Sequence, residues 1–134
     1  MRENMGLYRG KRKDNGEWVE GCLLYDTENN LAYIAECFED RAAYIREVIP
    51  ETVGQYTGKF DMNGRDIFEG DIISRFLNWR KENVNAVVKY NSDDASYTCY
   101  YTLGSYETCG FLADWVDGTE AKIIGNVWDN PELI

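Results

Sequence analysis

The sequence predicts a mainly β, antiparallel fold with little helix, organised as a small barrel or sandwich. Ten tyrosines and four tryptophans among 134 residues favour half-buried sheet surfaces over the faces of helix bundles. Short alternating segments are separated by turn residues at intervals of about 8–12 residues, as in sandwiches and barrels. Asn15-Gly16 and Asn63-Gly64 are strong hairpin signals, because both residue types accept positive φ.

The first half of the chain begins with a predicted hairpin over Leu7–Leu24, which turns at Asn15-Gly16. A turn follows at Asp26–Asn30, and a strand at Leu31–Phe38. Glu39–Val48 stays open between helix and strand, because its apolar side chains fit helical spacing and an extended segment equally well. Pro50 ends either element, since a residue before proline avoids the helical region.

The second half has the features of an SH3-like barrel over Val53–Trp128, with a long hairpin, a Gly-Asp corner and successive antiparallel strands. The 134 residues fit one domain, 1–134. The predicted strands are Val53–Gly58, Ile72–Leu77, Val84–Tyr90, Ser96–Thr102 and Ala121–Trp128. The predicted connections are a tight turn at Glu69–Asp71, a polar loop at Asn78–Asn83, a turn at Asn91–Ala95, a loop at Gly104–Gly110 and an element of open type at Phe111–Val116.

The formal net charge is −10, and there is no histidine. Residues 1–20 carry about +1, so the remaining chain carries about −11. An acidic surface repels phosphate backbones and membranes, and neither is an expected partner. A local basic patch of Arg9–Lys13 with Arg80 and Lys81 would be an exception; the alternative is a solvated hairpin rim.

The four cysteines are predicted to be reduced thiols, mostly in or near the core, with a disulfide framework as the alternative. They are Cys22, Cys37, Cys99 and Cys109. They form no CxxC pair, and no histidine is present to complete a zinc site. Met1–Lys13 does not resemble a signal peptide, and no apolar run approaches the ~20 residues of a membrane span. We therefore expect a cytoplasmic protein.

No residue pattern predicts catalysis or a cofactor. Without histidine, the usual general base and the Ser/His and Cys/His pairs are absent, and Gly54–Gly58 lacks the Gly-Lys-Ser/Thr ending of a phosphate loop. One acidic cluster could bind a hard cation or serve as acid and base, but turn capping is favoured because acids are abundant. The cluster consists of Asp61, Asp66, Glu69 and Asp71. We expect a protein that is not an enzyme.

The best candidates for partner contact are Trp79, Arg80 and Lys81 on a polar loop, together with Trp18. Tryptophan and arginine dominate interface hot spots, although Trp79 could also fold back onto the domain. The hairpin Leu7–Leu24 could supply a sheet edge for self-association, with Trp18 as its anchor. The other aromatic residues favour cross-strand packing over a ligand-stacking surface. This set contains Tyr8, Trp18, Tyr25, Tyr33, Tyr56, Tyr90, Tyr97 and Tyr101.

Several blocks in order along the chain resemble the YopX family of phage and prophage proteins. They are Tyr8–Arg12, Asn15–Val19, Pro50–Gly58, Asp61–Ile72 and Ile123–Leu133. Lys59-Phe60 departs from the pattern, in which a leucine directly follows Gly58. The resemblance implies a β-rich fold and a gene carried by a phage or prophage. It implies no activity and assigns no functional residues.

The sequence thus favours a non-enzymatic phage or prophage accessory protein that works through protein contacts. We expect a homo-oligomer and an unidentified protein partner from the bacterial host or the phage. One alternative is an acidic mimic of nucleic acid that inhibits a host DNA-binding protein, which requires the negative charge to gather on one face. A second alternative is a weak nucleic-acid-binding module that uses Arg9–Lys13, Arg80 and Lys81.

Overall fold

The computed structural model describes residues 7–38 and 41–134. The chain divides into two compact units, residues 1–56 and 57–134. All the strand pairs described below are antiparallel, and the one α-helix among these residues has five residues. The prediction of a mainly β, antiparallel fold is therefore confirmed. One domain over 1–134 and the SH3-like features stay predictions; neither sheet closes into a barrel among these residues.

The first unit is built from consecutive antiparallel strands with the order β4-β3-β2-β1-β5. The strands are β1 (Tyr8–Lys11), β2 (Trp18–Asp26), β3 (Leu31–Phe38), β4 (Arg41–Val48) and β5 (Gly54–Phe60), with a 3-10 turn at Pro50–Thr52. Strand β5 continues into the second unit, where β6 (Asp66–Phe68) is next in the sheet order. The strand prediction at Leu31–Phe38 is confirmed. The choice between helix and strand for Glu39–Val48 is decided in favour of strand from Arg41 onward. Residues 39–40 lie outside the described residues.

A small core and close backbone contacts hold the first unit. The cluster contains Val19, Ala32, Ile34 and Val48, of which the last three are fully buried. The end of β1 also meets β4, because the N–H of Ile49 donates to the Lys11 carbonyl at 2.8 Å. Gly21 lies so near the backbone of β3 that an added Cβ would overlap the carbonyl oxygen of Ala35. The absence of a side chain at Gly21 is thus a condition of this strand packing.

The second unit contains a five-stranded sheet with the order β10-β9-β8-β7-β11. Its elements are β7 (Asp71–Leu77), β8 (Glu82–Asn91), β9 (Ser96–Leu103), β10 (Tyr106–Phe111), α1 (Leu112–Val116), β11 (Lys122–Asn126) and a 3-10 turn at Pro131–Leu133. One face of β9 presents Tyr97, Cys99 and Tyr101 to the core. The core cluster includes Ile67, Ile73, Leu77, Val84, Ala86, Val88, Cys99, Leu112, Trp115, Val116, Ala121 and Ile123.

Both Asn-Gly pairs lie at hairpin turns, but they do not form two-residue turns with positive φ at both positions. In each pair only the glycine adopts the left-handed region, with φ of 72° at Gly16 and 77° at Gly64. The N–H of Gly16 donates to the Arg12 carbonyl four residues earlier, which closes a wider loop. The hairpins are therefore confirmed and the turn geometry is corrected.

Three further expectations are wrong. Gly104–Gly110 is not a loop, because Tyr106–Phe111 pairs with β9 over its whole length. The hairpin Leu7–Leu24 offers no sheet edge, since β1 lies between β2 and β5, and β2 between β1 and β3. Cysteines are not mostly in the core: of those whose side chains are described, Cys99 is buried, whereas Cys22 and Cys109 are exposed.

We expect Gly21→Ala to destabilise the protein by about 1–3 kcal/mol, the usual cost of overpacking. The matched control is Gly110→Ala, because Gly110 also lies in a strand but no neighbouring atom lies within 4 Å of the position that a Cβ would occupy there. Urea unfolding followed by tryptophan fluorescence measures both variants. Equal unfolding midpoints for the two would contradict the close-approach argument.

Candidate functional site

The four candidate contact residues fall into two sets, with Trp18 in the first unit and Trp79, Arg80 and Lys81 in the second. The second set forms the tip of the β7–β8 hairpin. The strand register ends at the pair Leu77–Glu82, so residues 78–81 make the connection. The Leu77 carbonyl accepts the N–H groups of Arg80 at 3.1 Å and Lys81 at 2.8 Å. This loop is therefore closed by backbone hydrogen bonds next to a buried leucine.

Trp79 is the most accessible tryptophan of the described chain, with 71% of its surface exposed. The alternative, in which the Trp79 side chain folds back onto the domain, is therefore wrong. The Arg80 guanidinium carbon lies 5.6 Å from the Trp79 ring centroid, within the range of a cation–π interaction. The Arg80 Nε also donates to Glu82 at 2.7 Å. The tip thus presents an indole face beside a guanidinium oriented by a carboxylate.

Trp18 has a different environment. It is half-buried at the start of β2, opposite Lys11 in the strand register. The Arg9 guanidinium carbon lies 4.6 Å from its ring centroid and the Lys11 ammonium 5.8 Å. Cations therefore lie against this ring, which makes Trp18 a less open contact than Trp79.

The basic segment Arg9–Lys13 is interleaved with carboxylates. Arg12 bonds Asp14 at 2.6 Å, and Lys13 bonds Glu47 at 3.2 Å. The hydrogen bond from Arg12 lowers the pKa of Asp14 below its ordinary value. A shallow cleft of about 400 Å³ is lined by Arg12, Lys13, Asp14, Ile45, Arg46 and Glu47. Its mixture of signs is poorly suited to phosphate.

In the acidic cluster of Asp61, Asp66, Glu69 and Asp71, two carboxylates cap turns, as predicted. They are Asp61 and Asp71. Asp61 is only 3% exposed. Its Oδ1 accepts the N–H groups of Asn63 and Arg65, and its Oδ2 accepts that of Ile123, each at 2.9 Å. The carboxylate of Asp71, also buried, accepts the Phe68 N–H at 2.8 Å. Over the described residues, no group of three or more acidic, cysteine or histidine side chains could hold a metal ion.

The aromatic side chains include cross-strand contacts of the expected kind. Tyr90 and Tyr97 are opposite each other in β8 and β9, and their rings meet edge to face at 5.3 Å. The Tyr101 ring lies 4.5 Å from that of Trp115 within the core. Tyr97, Tyr101 and Trp115 are packing residues, which separates them from the exposed Trp79.

Nucleophilic chemistry has little support from the cysteine environments. Burial raises the pKa of Cys99 to about 12, so its thiol stays protonated at neutral pH. Cys22 and Cys109 are exposed on their strands. They depart from the expectation that the cysteines lie mostly in or near the core.

Strand β10 is the feature that sequence reasoning missed. Gly104-Ser105 connects β9 and β10 directly, with Leu103 opposite Tyr106 and a φ of 62° at Gly104. A Gly-Ser pair between two β-prone segments is a recognised two-residue hairpin signal. The sequence signal for this hairpin was therefore the pair Gly104-Ser105, which the predicted loop Gly104–Gly110 overlooked.

The described residues thus define a mainly antiparallel β protein whose most accessible candidate site is an aromatic and basic hairpin tip. No described helix has the length and apolarity needed to cross a membrane. The family model described as YopX protein matches residues 7–134. The chain therefore belongs to the YopX family. A search of curated proteins finds no match.

Replacing Asp61 tests the turn-capping role. Asp61→Asn keeps the shape but replaces one acceptor oxygen with a donor, leaving at least one backbone N–H without its acceptor. We expect a loss of about 1–3 kcal/mol of stability, the usual cost of an unsatisfied buried polar group. Urea unfolding measures it, with Asp93→Asn in an exposed turn as the control. Unchanged stability of the Asp61 variant would rule out the buried carboxylate as a structural hub.

Proposed function

We propose that the protein is a non-enzymatic accessory protein of a phage or prophage that acts in the bacterial cytoplasm through protein–protein contacts. Its contact site is the hairpin tip formed by Trp79, Arg80 and Lys81. Membership of the YopX family supports the biological setting. The exposure of Trp79 beside Arg80 supports the mode of action.

The exposure of Trp79 carries the proposal. Leaving an indole in water forgoes the hydrophobic gain of burying it, and tryptophan is the residue most enriched at interface hot spots. The backbone bonds to the Leu77 carbonyl fix the loop before any partner arrives. A preordered loop loses less conformational entropy on binding than a flexible one. Arg80 can offer its remaining donors to partner carboxylates or carbonyls.

An affinity pull-down from the bacterial host tests the contact site. We expect a specific protein to be retained by the wild type and lost with Trp79→Ala, because a hot-spot truncation of at least about 2 kcal/mol weakens binding roughly 30-fold. Trp128→Ala is the matched control, since Trp128 is also exposed in a turn of the same unit. Direct titration of the retained protein quantifies both variants. Equal affinities for the two variants would remove Trp79 from the site.

Nucleic acid should be analysed in the same pull-down, because it separates the alternatives. A retained host DNA-binding protein that is released by competing DNA would favour the acidic mimic. Retained nucleic acid would favour the weak nucleic-acid-binding module. The protein-contact proposal is preferred because the exposed Trp79 beside Arg80 supports it directly.

We expect only weak, nonspecific binding to duplex DNA at physiological salt. Phosphate affinity comes from cations that release counterions, whereas Arg12 and Lys13 already pair with Asp14 and Glu47. A mobility shift with random-sequence duplex DNA measures this. Tight binding that is abolished by Lys11→Gln with Arg12→Gln would contradict the expectation, and Lys122→Gln is the control for loss of an exposed charge elsewhere.

A further inference from the structure

Strand β10 forms an outer edge of the five-stranded sheet, with β9 as its one strand neighbour in the described structure. All its residues except Gly110 are exposed. Tyr106 at one end is 77% exposed and Phe111 at the other 51%. An edge strand presents a row of backbone N–H and C=O groups that can pair with another strand.

The edge is held firmly in place. Its register with β9 continues without a shift from Tyr106 to Phe111. Helix α1 follows directly, and its Leu112 and Trp115 are buried in the core cluster against Tyr101. The helix therefore packs on the core face that Tyr101 also faces. It anchors β10 and leaves the five exposed side chains uncovered.

The other outer strands carry features that discourage pairing, and β10 does not. Natural edges are protected by charges, bulges, prolines or short length. Strand β4 contains three charged residues, β11 has a register shift between Ile123 and Gly125, and β6 has three residues. Strand β10 has one charge, Glu107, and no proline or register shift among its six residues.

We propose that β10 is the self-association surface of this protein and pairs antiparallel with β10 of a second copy. A two-fold axis then joins two five-stranded sheets into one continuous sheet. An antiparallel edge is self-complementary under such an axis, and two-fold dimers are the commonest symmetric oligomers. The partner we propose for this edge is a second copy of the chain. The chain has a net charge of −10, and two copies would repel each other at most surfaces. Strand β10 has a single charged residue, so two copies can meet there with little repulsion. This inference is independent of the Trp79 site.

The alternation of side chains restricts the register of the pair. Glu107, Cys109 and Phe111 lie opposite Thr102, Tyr100 and Thr98, and thus share one face of the sheet. Since opposite residues in a ladder share a face, odd positions of one copy must meet odd positions of the other. The strand can centre on Cys109 or on Thr108, and both registers keep the two Glu107 carboxylates from facing each other. A pair centred on Glu107 is excluded by charge repulsion.

Light scattering coupled to gel filtration at micromolar concentration and physiological salt tests the proposal. We expect the wild type at twice the 15.5 kDa chain mass. Thr108→Lys and Cys109→Lys each place a charge on the edge, and each should weaken association at least tenfold. The control is Cys22→Lys, another exposed cysteine on a strand that is not an edge. Far-UV circular dichroism checks that the variants are folded. A monomeric wild type, or unchanged mass in both edge variants, would overturn the proposal.

Disulfide trapping tests the same contact without adding charge. In a background lacking Cys22 and Cys37, mild copper-catalysed oxidation should link two copies either through Cys109 or through a Thr108→Cys, Cys109→Ser variant. In the register centred on Cys109, this residue lies opposite Cys109 of the second copy. In the register centred on Thr108, position 108 lies opposite position 108 of the second copy. Both pairs are at a distance that a disulfide can span. The control retains Cys22 as the one exposed thiol and should not cross-link. Failure of both edge variants to cross-link would show that β10 does not pair with itself.

Discussion

The buried carboxylate of Asp61 is the interaction on which the second unit most depends. It gathers three backbone N–H groups, two from its own turn and one from Ile123, which is 62 residues away in sequence. A second tie runs beside it, from the N–H of Met62 to the Ala121 carbonyl at 3.0 Å. The turn between β5 and β6 is thereby fixed to the start of β11. A carboxylate suits this position because hydrogen bonds to an ionised acceptor are roughly twice as strong as neutral ones.

Close backbone approach has the corresponding role in the first unit. The core cluster has four buried residues, with Tyr8, Leu23 and Val53 partly buried against it. Gly10 and Gly21 let the strands approach to distances at which a methyl group would meet Val48 or the Ala35 carbonyl. These close contacts accompany backbone pairing across β1 to β5. Gly10, which lies in one of the blocks that resemble the YopX family, thus leaves room for the buried side chain of Val48.

Much of this architecture was accessible from the sequence because turn chemistry is local. The Asn-Gly pairs and the short alternating segments predicted hairpins and antiparallel strands that the structure contains. The exposure of Trp79 was not accessible, since it depends on how four loop residues close onto the Leu77 carbonyl. Strand β10 was missed because glycines at both ends outweighed its β-prone residues. The interior position of the first hairpin could not be predicted either. It depends on the strand order, which is set by pairing between segments distant in sequence.

The net charge of −10 opposes contacts between two copies less than its magnitude suggests. The reason is that both distance and salt weaken the repulsion between charges. At physiological ionic strength, charges more than about 8 Å apart are largely screened. What matters at a contact is the local set of charges. At the Trp79 tip that set is Arg80, Lys81 and Glu82; along β10 it is Glu107. An acidic chain can thus keep a soluble surface while its contact regions are locally basic or almost neutral. Low salt should oppose any association between two copies, and physiological salt should relieve much of that repulsion.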